Sequence, residues 1–109
     1  MIVREFTVNV GCQKDFEMVF GPGGIWPELL QPRSEGYAGT ELKLVSERRY
    51  RVRDWWKSHR DFELFREQYQ HDVEEFRKWL ASKDLVEHER FLGSFYTAGP
   101  DEDAGLVVA

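Results

Sequence analysis

Cysteine is almost missing from this chain. Cys12 stands alone in 109 residues, which excludes an internal disulfide and any cysteine-rich zinc module. No apolar run approaches the roughly 18 residues that a membrane-spanning helix needs. Arg4 and Glu5 appear before any long apolar stretch, so no secretory leader is expected and a cytoplasmic location is. Basic residues are the scarcer charge, 15 Lys and Arg against 20 Asp and Glu, for a net charge of −5 at pH 7. Such a chain is a poor general binder of nucleic acid unless its basic residues are gathered locally. What the chain does have is apolar and aromatic mass: 41% hydrophobic and 15% aromatic residues, a globular composition rather than a disordered one. At this length one domain is expected, burying roughly two-thirds of its unfolded surface.

The pattern along the chain alternates between two periods. Residues 1–10 alternate, with Ile2, Phe6, Val8 and Val10 on one side and Val3, Glu5, Thr7 and Asn9 on the other, which predicts a strand. Phe16, Val19 and Phe20 follow at helical spacing, and Gly21-Pro-Gly-Gly24 must interrupt that helix. Ile25, Trp26, Leu29 and Leu30 predict a second helical piece with Pro27 in its first turn. Residues 37–45 and 49–56 alternate again and lie close enough to form an antiparallel hairpin. In the second of these, Tyr50, Val52, Asp54 and Trp56 face one way, and Arg49, Arg51, Arg53 and Trp55 the other. Ser58 with Asp61 approximates a capping box. Phe62, Phe65, Tyr69, Val73, Phe76 and Leu80 then recur at steps of three and four, the strongest helix signal in the chain. A polar connection is expected over 83–88, a last strand over 91–96, and an acidic C-terminal tail over 98–109. This order predicts an α+β, ferredoxin-like βαββαβ domain over residues 1–97, with a four-stranded antiparallel sheet and helices on one face. Its other face, with Val3, Trp55 and Phe91 or Phe95, is an apolar patch that calls for a partner.

Three stretches carry a family pattern: Phe20-Gly-Pro-Gly-Gly-Ile-Trp26, Gly36-Tyr-Ala-Gly-Thr-Glu-Leu42, and Tyr50 through Asp54-Trp-Trp-Lys-Ser58 into Phe62-Glu-Leu-Phe65. In order, across residues 2–97, they resemble the antibiotic biosynthesis monooxygenase superfamily. The resemblance implies a dimeric α/β-barrel, a homodimer whose two sheets pack face to face, with one small-molecule pocket per subunit between sheet and helices. Members are often apolar at positions 51 and 53, where this chain has arginines. Glu5, Arg51 and Arg53 share the open face on neighbouring strands, so cross-strand ion pairs are available there.

Family members place a tryptophan like Trp56 in the pocket, and alternation turns Arg4, Tyr50 and Asp54 the same way. The activity implied is that of a cofactor-independent monooxygenase acting on a small aromatic or polyketide-like molecule. The protein binds and orients the substrate, and a base removes its proton. Trp56, Asp54 and Arg4 are the candidate catalytic residues; Tyr50, Tyr69, His71 and Trp26 are the candidate substrate contacts. Each also has a plain structural reading. Trp56 is equally a core residue at the entry to the long helix, Arg4 and Asp54 a buried pair, and Tyr50 ordinary strand composition. No metal is expected, because His71 and Glu75 at i and i+4 lack a third ligand. His59 and His88 read as surface residues. Haem degradation is disfavoured, since Arg4 sits near the asparagine position of that branch and neither His59 nor His71 fits its histidine.

Two readings from other classes stay beside the oxygenase. One is a non-catalytic ligand-binding or stress-associated dimer. The other is an RNA-recognition module, which shares the strand order. Residues 48–60 carry a net +5 and leave −10 on the rest of the chain. The glycine-aromatic signature of an RNA-binding third strand is absent, however, so a charge-paired dimer interface without nucleic acid is preferred.

Overall fold

A computed structural model describes residues 1–97 and 106–108. Its elements run β1 (Ile2–Val8), α1 (Gln13–Phe20), α2 (Ile25–Leu30), β2 (Tyr37–Ser46), β3 (Arg49–Trp56), α3 (His59–Gln68), α4 (Gln70–Ser82), β4 (Val86–Thr97) and β5 (Leu106–Val108). The strands form one sheet in the order β2-β3-β1-β4-β5, and every pairing is antiparallel. The fold is therefore α+β, and its first four strands are consistent with a ferredoxin-like arrangement.

Period-two alternation decides which residues meet the helices. Phe6 pairs with Tyr50 and Arg4 with Val52 across β1 and β3, so Phe6, Val8, Tyr50 and Val52 enter the core. There they join Phe16, Val19 and Phe20 of α1, Trp26 and Leu30 of α2, Phe65 of α3 and Phe76 and Leu80 of α4. The centre is a run of rings. Phe20 lies 5.1 Å from Phe6, 4.9 Å from Phe16 and 5.9 Å from Phe76, and Trp26 lies 4.9 Å from Phe76 (centroid distances). Tilted and edge-on contacts of this kind add to the area they bury.

Several boundaries differ from the sequence expectation. β1 stops at Val8, and Val10 is exposed. The single long helix is two, because Tyr69 leaves helical geometry at φ −120°, ψ 27° and ends α3 while opening α4. Apolar periodicity does not register this break: both halves keep their inward stripe, Phe65 on one and Phe76 and Leu80 on the other. β4 begins five residues earlier than expected, since Val86 and His88 already pair with Val8 and Thr7. Asp84, at φ 51°, makes the sharp entry into it, and Asn9 Nδ2 donates to the Asp84 carbonyl at 2.7 Å. Of the stretch expected as a tail, residues 98–105 and 109 lie outside the described residues, and Leu106–Val108 pairs with Phe95–Thr97 as β5. No helix among the described residues is long and apolar enough to cross a membrane.

Candidate functional site

Three of the predicted site residues meet inside the fold. Asp54 on β3, 3% exposed, accepts from Arg4 Nη2 at 3.2 Å, from Trp26 Nε1 at 2.9 Å and from Thr40 Oγ1 at 2.6 Å. Tyr37 closes the network with a short hydroxyl contact to Thr40. The Arg4 guanidinium also lies 4.9 Å from the Trp26 ring centroid and within 6 Å of Phe6 and Phe20, a cation–π cage. The three donors to Asp54 come from three different elements, β1, α2 and β2. The carboxylate already serves three donors, so this cluster is built to hold the helices on the sheet rather than to take a proton from a ligand. Thr40 and Tyr37 escaped the sequence reading. Thr40 pairs directly with Asp54 across β2 and β3, which follows only from the register.

The remaining predicted residues disperse. Tyr50, 2% exposed, stacks on Phe16 at 5.0 Å, and its hydroxyl donates to Glu17 in a short hydrogen bond. Burial first, then the Glu17 carboxylate, pushes its pKa up from 10.0 to about 12, so it stays protonated and is no base. A folded-state pKa above the unfolded one means the folded chain holds this proton more tightly. The stability it contributes is present below pH 10 and is lost as pH rises from 10 towards 12. In urea unfolding, the stability difference between wild type and Tyr50→Phe should therefore narrow from about pH 9 to about pH 11. An unchanged difference would contradict the shift. Tyr69 packs on Phe65 at 5.5 Å, and His71 is exposed on α4.

Trp56 stands between two places. It packs on Tyr37 of the network at 5.6 Å and on Phe62 and Phe65 of α3 at 5.5 and 5.3 Å. It also lines a cleft of about 110 Å³ at the end of the sheet, with Trp55, Phe62, Phe95, Lys57 and His59. The indole Nε1 of Trp56 is buried and meets no acceptor among the described residues, an unsatisfied donor of the kind that natural cores rarely keep. His59 Nε2 lies 2.8 Å from Glu63 Oε1, and its ring is 5.8 Å from Phe62. A carboxylate on one ring nitrogen fixes the orientation of an imidazole. Expected only as a surface residue, His59 thus faces a cleft. The spacing of His59 and Glu63 one helical turn apart, just after the Ser58 cap, was the available signal. Ser58 Oγ does accept from Asp61 N at 3.1 Å.

The open face of the sheet is charged, as Glu5, Arg51 and Arg53 suggested. Glu5, 7% exposed, lies 3.4 Å from Arg51, 3.5 Å from Arg90 and 3.8 Å from Arg49. Arg53 turns to Glu41 instead, at 3.2 Å. Among the described residues no group of three or more His, Cys, Asp or Glu side chains is placed to hold a metal ion. Comparison of the chain with protein-family models, curated proteins and solved structures finds no match.

Proposed function

We propose that the chain is one subunit of a homodimer that binds a small phenolic molecule in the sheet-end cleft, in the manner that resemblance to the antibiotic biosynthesis monooxygenases implies. The observation that carries this reading is the meeting of four aromatic rings with an oriented histidine: Trp55, Trp56, Phe62 and Phe95 around His59. The cleft, about 110 Å³, is smaller than the roughly 150 Å³ apolar cavity that takes benzene, so a single ring would sit in it partly in solvent and a fused polyketide would not fit. Trp55 lies on the open face of β3, so a second subunit packed there would add a wall to the cleft.

In a cofactor-independent oxygenation, His59 takes the phenol proton and Lys57 stabilises the phenolate. The phenolate ring carbon then reduces oxygen. A phenol and O₂ give a quinone and water: one oxygen atom enters the ring, the other leaves as water, and all four electrons come from the substrate. Arg4 and Asp54 contribute rigidity here rather than proton transfer.

Binding without turnover is the second reading, and the saturation of Asp54, one of the candidate catalytic residues, favours it. Oxygen uptake with a panel of phenols, catechols and naphthols separates the two. Turnover by wild type, slowed about a hundredfold or more in His59→Asn with ligand-induced thermal shift retained, is the outcome expected of the oxygenase. Thermal shift without uptake from any substrate leaves the binding protein. Neither shift nor uptake removes the cleft as a site.

A further inference from the structure

We propose that the open face of the sheet is a binding site for a small multivalent oxyanion of the phosphate or pyrophosphate class, and that this anion lets two such faces close on one another. The second half rests on the homodimer proposed above; the first does not.

The charge on this face does not balance. Alternation along β3 puts Arg49, Arg51 and Arg53 on one side, about 7 Å apart in sequence. The register sets Lys43 of β2 beside Arg51, and Arg90 of β4 beside Glu5. Against these five cations the face carries Glu5 and Glu41, a surplus of three positive charges on a chain whose net charge is −5. Three arginines share the single Glu5 carboxylate at 3.4–3.8 Å, long contacts that leave most of their N–H groups unspent. The Nε atoms of Arg51 and Arg53 are buried and reach no acceptor among the described residues. Each guanidinium has five donors in a planar fork and does not deprotonate in proteins. The surplus therefore cannot be titrated away; only counter-charge removes it.

Facing water, the surface tolerates this. Packed against its twin at the usual sheet separation of roughly 10 Å, it would bring ten cations and four carboxylates into a dehydrated layer, where each uncompensated ion costs several kcal/mol. A compact oxyanion with several acceptor atoms meets the unspent forks of neighbouring arginines bidentately and neutralises the layer. A nucleic-acid strand fits less well. Glu5 and Glu41 interrupt the basic track, and β3 offers only Trp55 as a stacking platform on this side.

Sedimentation at constant ionic strength, in sodium chloride and in sodium pyrophosphate, tests this together with thermal shift. Wild type should rise from monomer mass towards dimer mass in millimolar pyrophosphate but not in chloride, and its melting temperature should rise with it. Arg90→Gln, at an exposed side chain, should leave the fold intact and need at least tenfold more pyrophosphate. A dimer indifferent to pyrophosphate overturns the anion site and leaves the dimer. A thermal shift on a persistent monomer overturns the dimer and leaves the site. No response in either readout overturns both. A single-stranded oligonucleotide that binds more tightly than pyrophosphate, and is displaced by it, makes nucleic acid the partner and overturns the small-anion assignment.

Discussion

Replacing Asp54 with alanine should destabilise the folded chain by about 3–5 kcal/mol, the usual loss when one partner of a buried ion pair is removed. The substitution leaves Arg4, whose side chain is 11% exposed, as a buried charge with no carboxylate beside it. It also strands the Trp26 indole N–H and the Thr40 hydroxyl, both of which donate to Asp54. Urea unfolding should show the midpoint falling steeply, since a domain of this size holds only about 5–15 kcal/mol in all. The double replacement Arg4→Met with Asp54→Leu removes the charges together and should recover much of the loss, because burying a pair costs desolvation that apolar residues avoid. A loss below about 1 kcal/mol for Asp54→Ala would mean that water reaches Arg4 and that the network is not sealed.

Phe20→Ala is expected to cost a similar amount, about 3–5 kcal/mol, as a large ring removed from a packed core. Phe20 is fully buried and touches rings on four other residues: Phe6, Phe16, Trp26 and Phe76. β1, α2 and α4 would all line the cavity it leaves, so collapse from one side cannot close it. Thermal unfolding monitored by far-UV circular dichroism reads this out, and Phe20→Leu should lose less. The two substitutions should not add. Phe20 lies 5.7 Å from the Arg4 guanidinium, and side chains with a shared partner couple by about 0.5–3 kcal/mol. Strict additivity would indicate that Arg4 is held by Asp54 alone.

Both variants act on residues whose inward direction was readable beforehand. Alternation alone turns Arg4, Phe6, Tyr50, Val52 and Asp54 to the helix side, and all are buried there. Ser58 does cap α3. What alternation could not give was longitudinal position. It put Tyr50 and Asp54 on one face, yet Tyr50 meets Glu17 and Phe16 while Asp54 meets Trp26 and Thr40. Four residues along a strand separate their surroundings by roughly 13 Å. His71, a candidate substrate contact in the pocket that the resemblance implies, is left exposed by the phase of α4.

The sequence by itself determined the order of the first four strands, the inward faces of the first and third, the helix break at Gly21–Gly24 and the crowding of arginines on the third strand. These depend on near neighbours and on periods of two and 3.6 residues, which survive in a one-dimensional string. Only the tertiary structure decided that Asp54 is saturated by Trp26 and Thr40, that His59 faces a cleft with Trp55 and Phe95, and that one glutamate serves three arginines. Each of those results depends on cross-strand register and on where a helix end lies over a sheet, and contacts between residues tens of positions apart leave no periodic trace.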